Sequence, residues 1–239
     1  MSAAILIAIS FSIGFFFESI IGFGGGLIAY SILGFFLDFK EMILSAFYIG
    51  TLASAHILIS DHKSFDRKTF ESVLPLCLVG TIIGVYIFSK LSPDILSLIF
   101  GILLIILAIR IMFFDNFNLP KIFRKKLILV GGISHGAFGI GGPFWANALK
   151  DDFKNKSSFR TTMAALFVSF NIIRFVQLLL QNQLKAEFFI NIAWTIIPVF
   201  IAIKLGHLVH LRISENIFKK GIATMTIFAG LKFLSKIFS

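Results

Sequence analysis

Ile21-Gly22-Phe23-Gly24-Gly25-Gly26 and Phe138-Gly139-Ile140-Gly141-Gly142-Pro143 are two glycine clusters that lie 117 residues apart in the chain. Each cluster follows a long apolar run and precedes a short one, at 26–37 and at 143–150. Runs this short cannot cross a hydrocarbon core of roughly 30 Å as regular helices. The pattern therefore predicts a helix that glycine breaks at the same place in two halves of the chain.

Apolar runs continue on both sides of the clusters along the whole sequence. They lie near 3–22, 41–60, 69–89, 93–113, 126–139, 160–180, 187–208 and 215–237. A second match supports the duplication, because Gly84–Asp94 aligns with Gly206–Asn216 at an offset of 122. We predict an all-α integral membrane protein with two inverted repeats, each with a glycine-broken helical hairpin plus three transmembrane helices. The predicted divisions are a first repeat over 1–114, a basic cytoplasmic linker over 115–126 and a second repeat over 127–239.

The composition indicates that lipid is the solvent for most of the surface. Of 239 residues, 57% are hydrophobic and 14% are charged, whereas soluble domains carry about 25% charged residues. This excludes a disordered chain, a nucleic-acid-binding module and an ordinary soluble enzyme. The net charge of +10 comes from basic clusters between apolar runs, as in the loops of inner-membrane proteins. We expect a multi-pass protein of the bacterial inner (plasma) membrane.

Loop charges favour one topology. If each short run turns back to the side from which it came, most basic loop residues gather on one side, and both termini lie outside. If each short run instead completes a crossing, the basic residues divide almost evenly between the two sides. The hairpin arrangement makes the number of crossings per repeat odd, so the repeats are inverted. Whether the short runs are re-entrant or fully spanning is left open by the sequence.

The glycine clusters predict an anion site. Glycine allows backbone N–H groups to approach a ligand, and a helix that begins after the cluster directs its positive end at the same point. Two such ends, related by the inverted repeat, would form a site at the membrane midplane. The alternative is close helix packing, which small residues also allow.

Polar residues inside apolar runs are the other site candidates, because they are expensive to bury in a membrane. Glu18 and His135 lie at matching positions before the two clusters, and either could carry a coupled proton; alternatively, Glu18 is interfacial or a partner of His135. Asn171, Arg174 and Gln177 share one helical stripe, and a guanidinium suits an oxyanion; alternatively, Arg174 extends to the interface. The expected substrate-binding residues are Gly24, Gly25, Gly26, Gly141, Gly142, Pro143, Asn147, Asn171, Arg174, Gln177 and, on the related wall, Ser54.

The cluster residues also carry a resemblance to a known family. The segments Gly22–Ile28 and Gly132–Pro143 resemble the two signature segments of the TauE/SafE family, also called the sulfite exporter or toluene sulfonate uptake permease family. Within the second segment, His135–Pro143 resembles the His-Gly-x-Phe-Gly-x-Gly-Gly-Pro variant. After the first cluster, many members have a proline where this chain has Leu27–Ser31. The resemblance implies an integral membrane permease for sulfite, sulfoacetate or another sulfur-containing anion.

We therefore expect a permease or secondary transporter that moves a small, sulfur-containing anion by alternating access between the two repeats. A passive anion channel and a non-transporting subunit of a membrane complex are the alternatives. No nucleotide-binding P-loop motif or catalytic triad stands out, so we expect no enzyme activity, no cofactor and no metal. The expected partners are the anion and the lipid bilayer. The identity of the anion, the direction, the coupling ion and the formation of a homo-oligomer are left open.

Overall fold

The computed structural model of the protein describes residues 2–21, 24–113, 120–153, 155–182, 186–208 and 215–235. Over these ranges the backbone forms helices and no strand. The helices are α1 (Ala3–Ile21), α2 (Gly25–Leu33), α3 (Phe39–Ser60), α4 (Arg67–Lys90), α5 (Pro93–Phe113), α6 (Arg124–Phe138), α7 (Gly142–Leu149), α8 (Lys156–Leu180), α9 (Ala186–Ala193), α10 (Ile196–Leu208) and α11 (Glu215–Ser235). Gly22 and Phe23 of the first cluster and residues 114–119 around the predicted linker lie outside the described residues.

The predicted all-helical membrane character is confirmed. Five helices of the described part, namely α1, α3, α4, α5 and α8, are long and apolar enough to cross a membrane. The pair α9 and α10 makes a sixth if it counts as one bent span. Both short runs after the glycine clusters form short helices, α2 and α7. The inverted relation of the two halves stays a prediction.

The apolar run 187–208 is not one straight helix. It is divided after Ala193, and α9 and α10 meet at an angle of 42°. Pro198 explains the position of the break, since a proline lacks an N–H and its ring clashes with the carbonyl four residues earlier, here that of Trp194. Thr195 uses its hydroxyl and its amide on the carbonyl of Ile192 instead.

Two compact units divide the chain, and each gathers helices from both halves of the sequence. The first comprises Met1–Ala46, Leu91–Phe117 and Ile197–Ser239, and the second comprises Phe47–Lys90 and Asn118–Ile196. This division differs from that into the predicted repeats 1–114 and 127–239. The boundaries of the repeats therefore stay a prediction.

The first unit packs α5 closely against α11. A Cβ atom at Gly101 would lie 2.9 Å from the carbonyl oxygen of Gly230, and one at Gly230 would lie 2.8 Å from that of Gly101. Beside this contact the buried rings of Phe100 and Phe233 meet edge to face, with centroids 5.2 Å apart. In the same unit α2 binds α11 through the Ser31 and Thr226 hydroxyls, 3.0 Å apart. Small residues thus allow helix backbones to touch in an apolar solvent.

The second unit packs α4 against α6 in the same manner. A Cβ at Gly80 would overlap the carbonyl oxygen of Leu129, and one at Gly84 would overlap that of Ile133. Gly136 of α6 lies against the Thr81 carbonyl in return. This close approach fixes the position of α4 along the last turns of α6, where the second glycine cluster begins.

Candidate functional site

The first broken hairpin consists of α1, the glycine cluster and α2. Gly24 caps α2 in a left-handed conformation with φ +99°, which glycine adopts without strain. The amide of Gly25, the first helical residue, donates a hydrogen bond to Oε2 of Glu18 at 2.7 Å. A carboxylate from the last turn of α1 therefore covers the positive end of α2.

The three glycines of this cluster have different surroundings. A Cβ at Gly25 would lie 2.7 Å from Oε2 of Glu18 and 2.8 Å from the carbonyl oxygen of Gly14. A Cβ at Gly24 or Gly26 would meet no heavy atom within 4 Å. Close packing therefore accounts for Gly25. The backbone beside Gly24 and Gly26 is open, as the predicted anion contact requires.

The second broken hairpin consists of α6, the second cluster and α7. Gly139 ends α6 in the left-handed region with φ +76°, and its amide donates to the His135 carbonyl at 2.7 Å. The hydroxyl of Ser134 donates to the Ile140 carbonyl at 2.6 Å and holds the turn. The first turn of α7 contains no acidic side chain. The chain therefore reverses here on glycine without a carboxylate on the short helix.

His135, the predicted counterpart of Glu18, lies in an aromatic pocket. The residue is 6% exposed, and its ring lies 5.3 Å from that of Trp145 and 5.4 Å from that of Phe167, between centroids. Its Nε2 is 3.0 Å from Oδ1 of Asn171 on α8. Its Nδ1 is buried without a hydrogen-bond partner among the residues described. Trp145 itself is fully buried and donates to the Ile128 carbonyl, which agrees with a packing role.

Arg174 lies against the end of α6. Only 5% of the residue is exposed, so its guanidinium is enclosed by protein, while its depth in the membrane stays a prediction. Its Nη1 donates to the carbonyl of Gly136 at 3.1 Å. That carbonyl belongs to the last turn of α6, where carbonyls lack helical partners. The centre of the guanidinium lies 3.6 Å from the centroid of the Phe88 ring on α4.

The structure brings together part of the predicted stripe on α8. Asn171 and Arg174 are buried, and both contact α6, through His135 and Gly136. Gln177 is half-buried, and its Nε2 donates to Gln181, the residue that caps the end of the same helix. The expected group of three therefore becomes a pair next to the hairpin, with Gln177 further along α8.

The remaining predicted residues lie at the second glycine cluster, on α7 and on α3. A Cβ at Gly141 would lie 2.8 Å from the Trp145 ring and 2.9 Å from the Gly131 carbonyl oxygen, whereas one at Gly142 meets only Phe167, at 3.3 Å. Pro143 is buried and has no N–H to donate. Asn147, in the second turn of α7, has a buried Nδ2 without a hydrogen-bond partner among the described residues. Ser54 is buried on α3. Substrate contact by any of them stays a prediction.

Two features of the hairpins were not predicted from the sequence. One is the bond from Gly25 to Glu18, which we expected as a proton carrier and not as the cap of α2. The other is Phe88, one of 31 phenylalanines in the chain. Its sequence signal is its place four residues after Gly84 on α4, which puts both on one helical face.

The comparisons with known proteins agree with the resemblance in the motifs. No curated protein and no solved structure matches the chain. A family model described as Sulfite exporter TauE/SafE matches residues 6–233. Since this match covers nearly the whole sequence, and since the described helices are those of a multi-pass membrane protein, the chain belongs to the TauE/SafE sulfite exporter family.

Proposed function

We propose that this protein is a secondary transporter of the bacterial inner membrane for a small sulfur-containing anion: sulfite, sulfoacetate or another sulfonate. Transport proceeds by alternating access between two inverted repeats, and the second broken hairpin supplies the main contacts to the anion. The family supports a sulfite or sulfonate permease. The anion, the mechanism and the site residues are the proposal.

The observation that carries the proposal is the buried arginine beside the break between α6 and α7. A charge within a membrane span is expensive and is retained mainly where function requires it. Guanidinium groups keep their proton in proteins, so Arg174 is a permanent cation inside α8, one of the candidate spans. Its planar fork suits the oxygens of a sulfite or sulfonate group. The Gly142 amide and the N-terminal end of α7 add weaker, uncharged attraction for the same anion.

His135 adds a proton-binding group to the same hairpin. Imidazole is the side chain that exchanges a proton most readily near neutral pH, and His135 contacts Asn171, one turn from Arg174 on α8. A proton on His135 would add a second positive charge when the anion is bound. The arrangement therefore supports transport of the anion together with a proton.

Matching contacts support the duplicated architecture. The sequence aligns Gly84 with Gly206 at an offset of 122 and the first cluster with the second at 117. In the second unit Gly84 packs against the Ile133 carbonyl, and in the first unit Gly206 packs against the Phe16 carbonyl. Ile133 and Phe16 are themselves 117 residues apart. In each case a glycine-bearing helix of one repeat, α4 or α10, packs against the long helix of the other repeat's hairpin, α6 or α1.

The test is uptake by the purified protein in liposomes. Radiolabelled sulfite is offered with and without a pH gradient, and sulfate, sulfoacetate, acetate and chloride compete in parallel. Arg174→Gln should reduce sulfite uptake about 10- to 150-fold, the effect of losing roughly 1.5–3 kcal/mol in a charged hydrogen bond. Arg174→Lys should retain part of the uptake, because the charge remains and the fork is lost.

Arg67→Gln is the matched control, because Arg67 forms an exposed ion pair with Glu71. This variant should take up sulfite like the wild type. Wild-type uptake by Arg174→Gln would refute the role of this arginine. Sulfite that equilibrates but never accumulates in a gradient would identify a passive channel instead of a transporter.

A further inference from the structure

We propose that Phe88 is the positioning residue that sets the orientation of the Arg174 guanidinium for the anion. This inference rests on the proposed function, because it names the residue that controls the anion-binding arginine. Phe88 acts through Arg174 and has no contact with the substrate itself.

The separation between the two groups defines their arrangement. The guanidinium carbon lies 3.6 Å from the ring centroid, well within the limit of about 6 Å for a cation–π contact. At this distance the planar guanidinium must stack on the face of the ring. The bond from Nη1 to the Gly136 carbonyl then fixes the rotation of the group within its plane. The ring and the carbonyl thus both constrain where the N–H edges point.

The ring itself is held by the packing of α4 on α6. Phe88 is buried and lies one turn beyond Gly84, whose missing side chain allows α4 to touch α6 at Ile133. The same helix α6 supplies the Gly136 carbonyl. The Phe88 ring and the Gly136 carbonyl are therefore both positioned by α6. Gly136 lies three residues before the break at Gly139.

This arrangement predicts a dependence on the electrons of the ring and not only on its volume. The face of an aromatic ring attracts a cation because of its negative quadrupole. Fluorine atoms on the ring withdraw this negative charge while changing the size little. A phenylalanine that merely fills space would tolerate fluorination, whereas one that positions a cation would not.

The experiment introduces phenylalanine with one, two and three ring fluorines at position 88. The concentration of sulfite that half-saturates uptake into liposomes should rise stepwise, by about 3- to 10-fold across the series, as expected for a partly desolvated cation–π contact. The same series at Phe11 is the control, because Phe11 is buried and stacks on Phe15. The Phe11 series should leave half-saturation unchanged.

A second measurement follows Arg174 without transport. In protein with ¹⁵N-labelled guanidinium groups, the Arg174 resonances should carry a ring-current shift from Phe88, which Phe88→Leu should remove. Flat half-saturation together with unchanged resonances would overturn the positioning role, even if Arg174→Gln abolishes uptake. Resonances that move in a protein that takes up no sulfite would retain Phe88 as the partner of Arg174 and reject its role in anion recognition along with the proposed function.

Discussion

The two broken hairpins are built on the same glycine pattern, yet they place opposite charges at their breaks. In the first, the Glu18 carboxylate binds the amide of Gly25 at the positive end of α2. In the second, the Arg174 guanidinium binds the carbonyl of Gly136 at the negative end of α6. The position that carries the acid in the first hairpin carries His135 in the second.

The difference shows that a repeated motif need not give two equal half-sites. An anion that approaches α2 meets a carboxylate already seated on the first amide of the helix. An anion that approaches α7 meets a helix start without an acid in its first turn, next to a hairpin that holds a buried cation and an imidazole. Since an anion is repelled by the first group and attracted by the second, we expect the second hairpin to dominate recognition.

The largest expected effect that tests this contrast is on proton coupling. His135→Gln should leave exchange of sulfite across liposomes largely intact but abolish its response to a pH gradient, because glutamine can bind Asn171 but cannot carry the proton. Glu18→Gln, which keeps an oxygen for the Gly25 amide, is the matched variant of the first hairpin. Gradient-driven uptake by each variant is compared with the wild type.

If coupling belongs to the second hairpin, Glu18→Gln keeps a response to the gradient and His135→Gln does not. The opposite result would assign proton coupling to Glu18. Two variants that both respond like the wild type would reduce both residues to hydrogen-bonding roles.

Much of the fold follows from the sequence, because it depends on the length of apolar runs. The predicted runs correspond to α1 through α8 and α11 within a few residues at most ends, and the two short runs after the glycines are short helices. The break before α10 was missed, although Pro198 was visible, because proline alone does not decide. Pro75 lies inside α4, and that helix continues through it.

The candidate site was predictable in its residue types but not in its contacts. Helical spacing places Asn171 and Arg174 on one face, and that face is buried in the structure. Spacing does not reveal which helix this face contacts. It therefore could not predict that Arg174 binds Gly136 or stacks on Phe88. The contact of Glu18 with Gly25 was missed for a similar reason, since it depends on how the chain turns between them.

The second prediction concerns neighbouring glycines in each cluster. Gly141→Ala should lower the stability of the detergent-solubilised protein by about 1–3 kcal/mol, the usual cost of overpacking, because its Cβ would press on Trp145 and the Gly131 carbonyl. Gly142→Ala should be nearly neutral, since only Phe167 lies close. In the first hairpin Gly25→Ala should likewise lower the stability, and Gly26→Ala should be nearly neutral. Thermal unfolding of the four variants is the measurement.

Equal losses for both members of a pair would mean that the clusters are packing elements throughout. A stable Gly142→Ala that binds sulfite less well than Gly26→Ala would place the anion at the second hairpin. The reverse order of affinities would place it at the first.

The helix that carries Arg174 has an anchor at its other end, which provides a control for the site. Asp61, after α3, accepts hydrogen bonds from the Ser157 and Thr161 hydroxyls and from Arg160 at the start of α8. The hydroxyl of Ser157 lowers the pKa of Asp61 most, and those of Ser64 and Thr161 and the charge of Arg160 lower it further, against the opposing effect of burial. Folding therefore stabilises the ionised form of Asp61.

The smallest expected effect comes from Asp61→Asn. A carboxylate whose pKa is lowered by folding contributes stability above its unfolded pKa of about 4 and loses it as the pH falls through the folded value. Asp61→Asn should therefore cost about 1 kcal/mol at neutral pH, the upper end of the range for ion pairs near the surface, and the difference from the wild type should shrink below about pH 4. Thermal unfolding across this range measures it. Because the α8 residues that bind Asp61 lie more than three turns from Arg174 along the helix, the half-saturating sulfite concentration should not change. If it changes as strongly as in Arg174→Lys, the contrast between the hairpins reflects the placement of α8 as a whole and not the groups at the break.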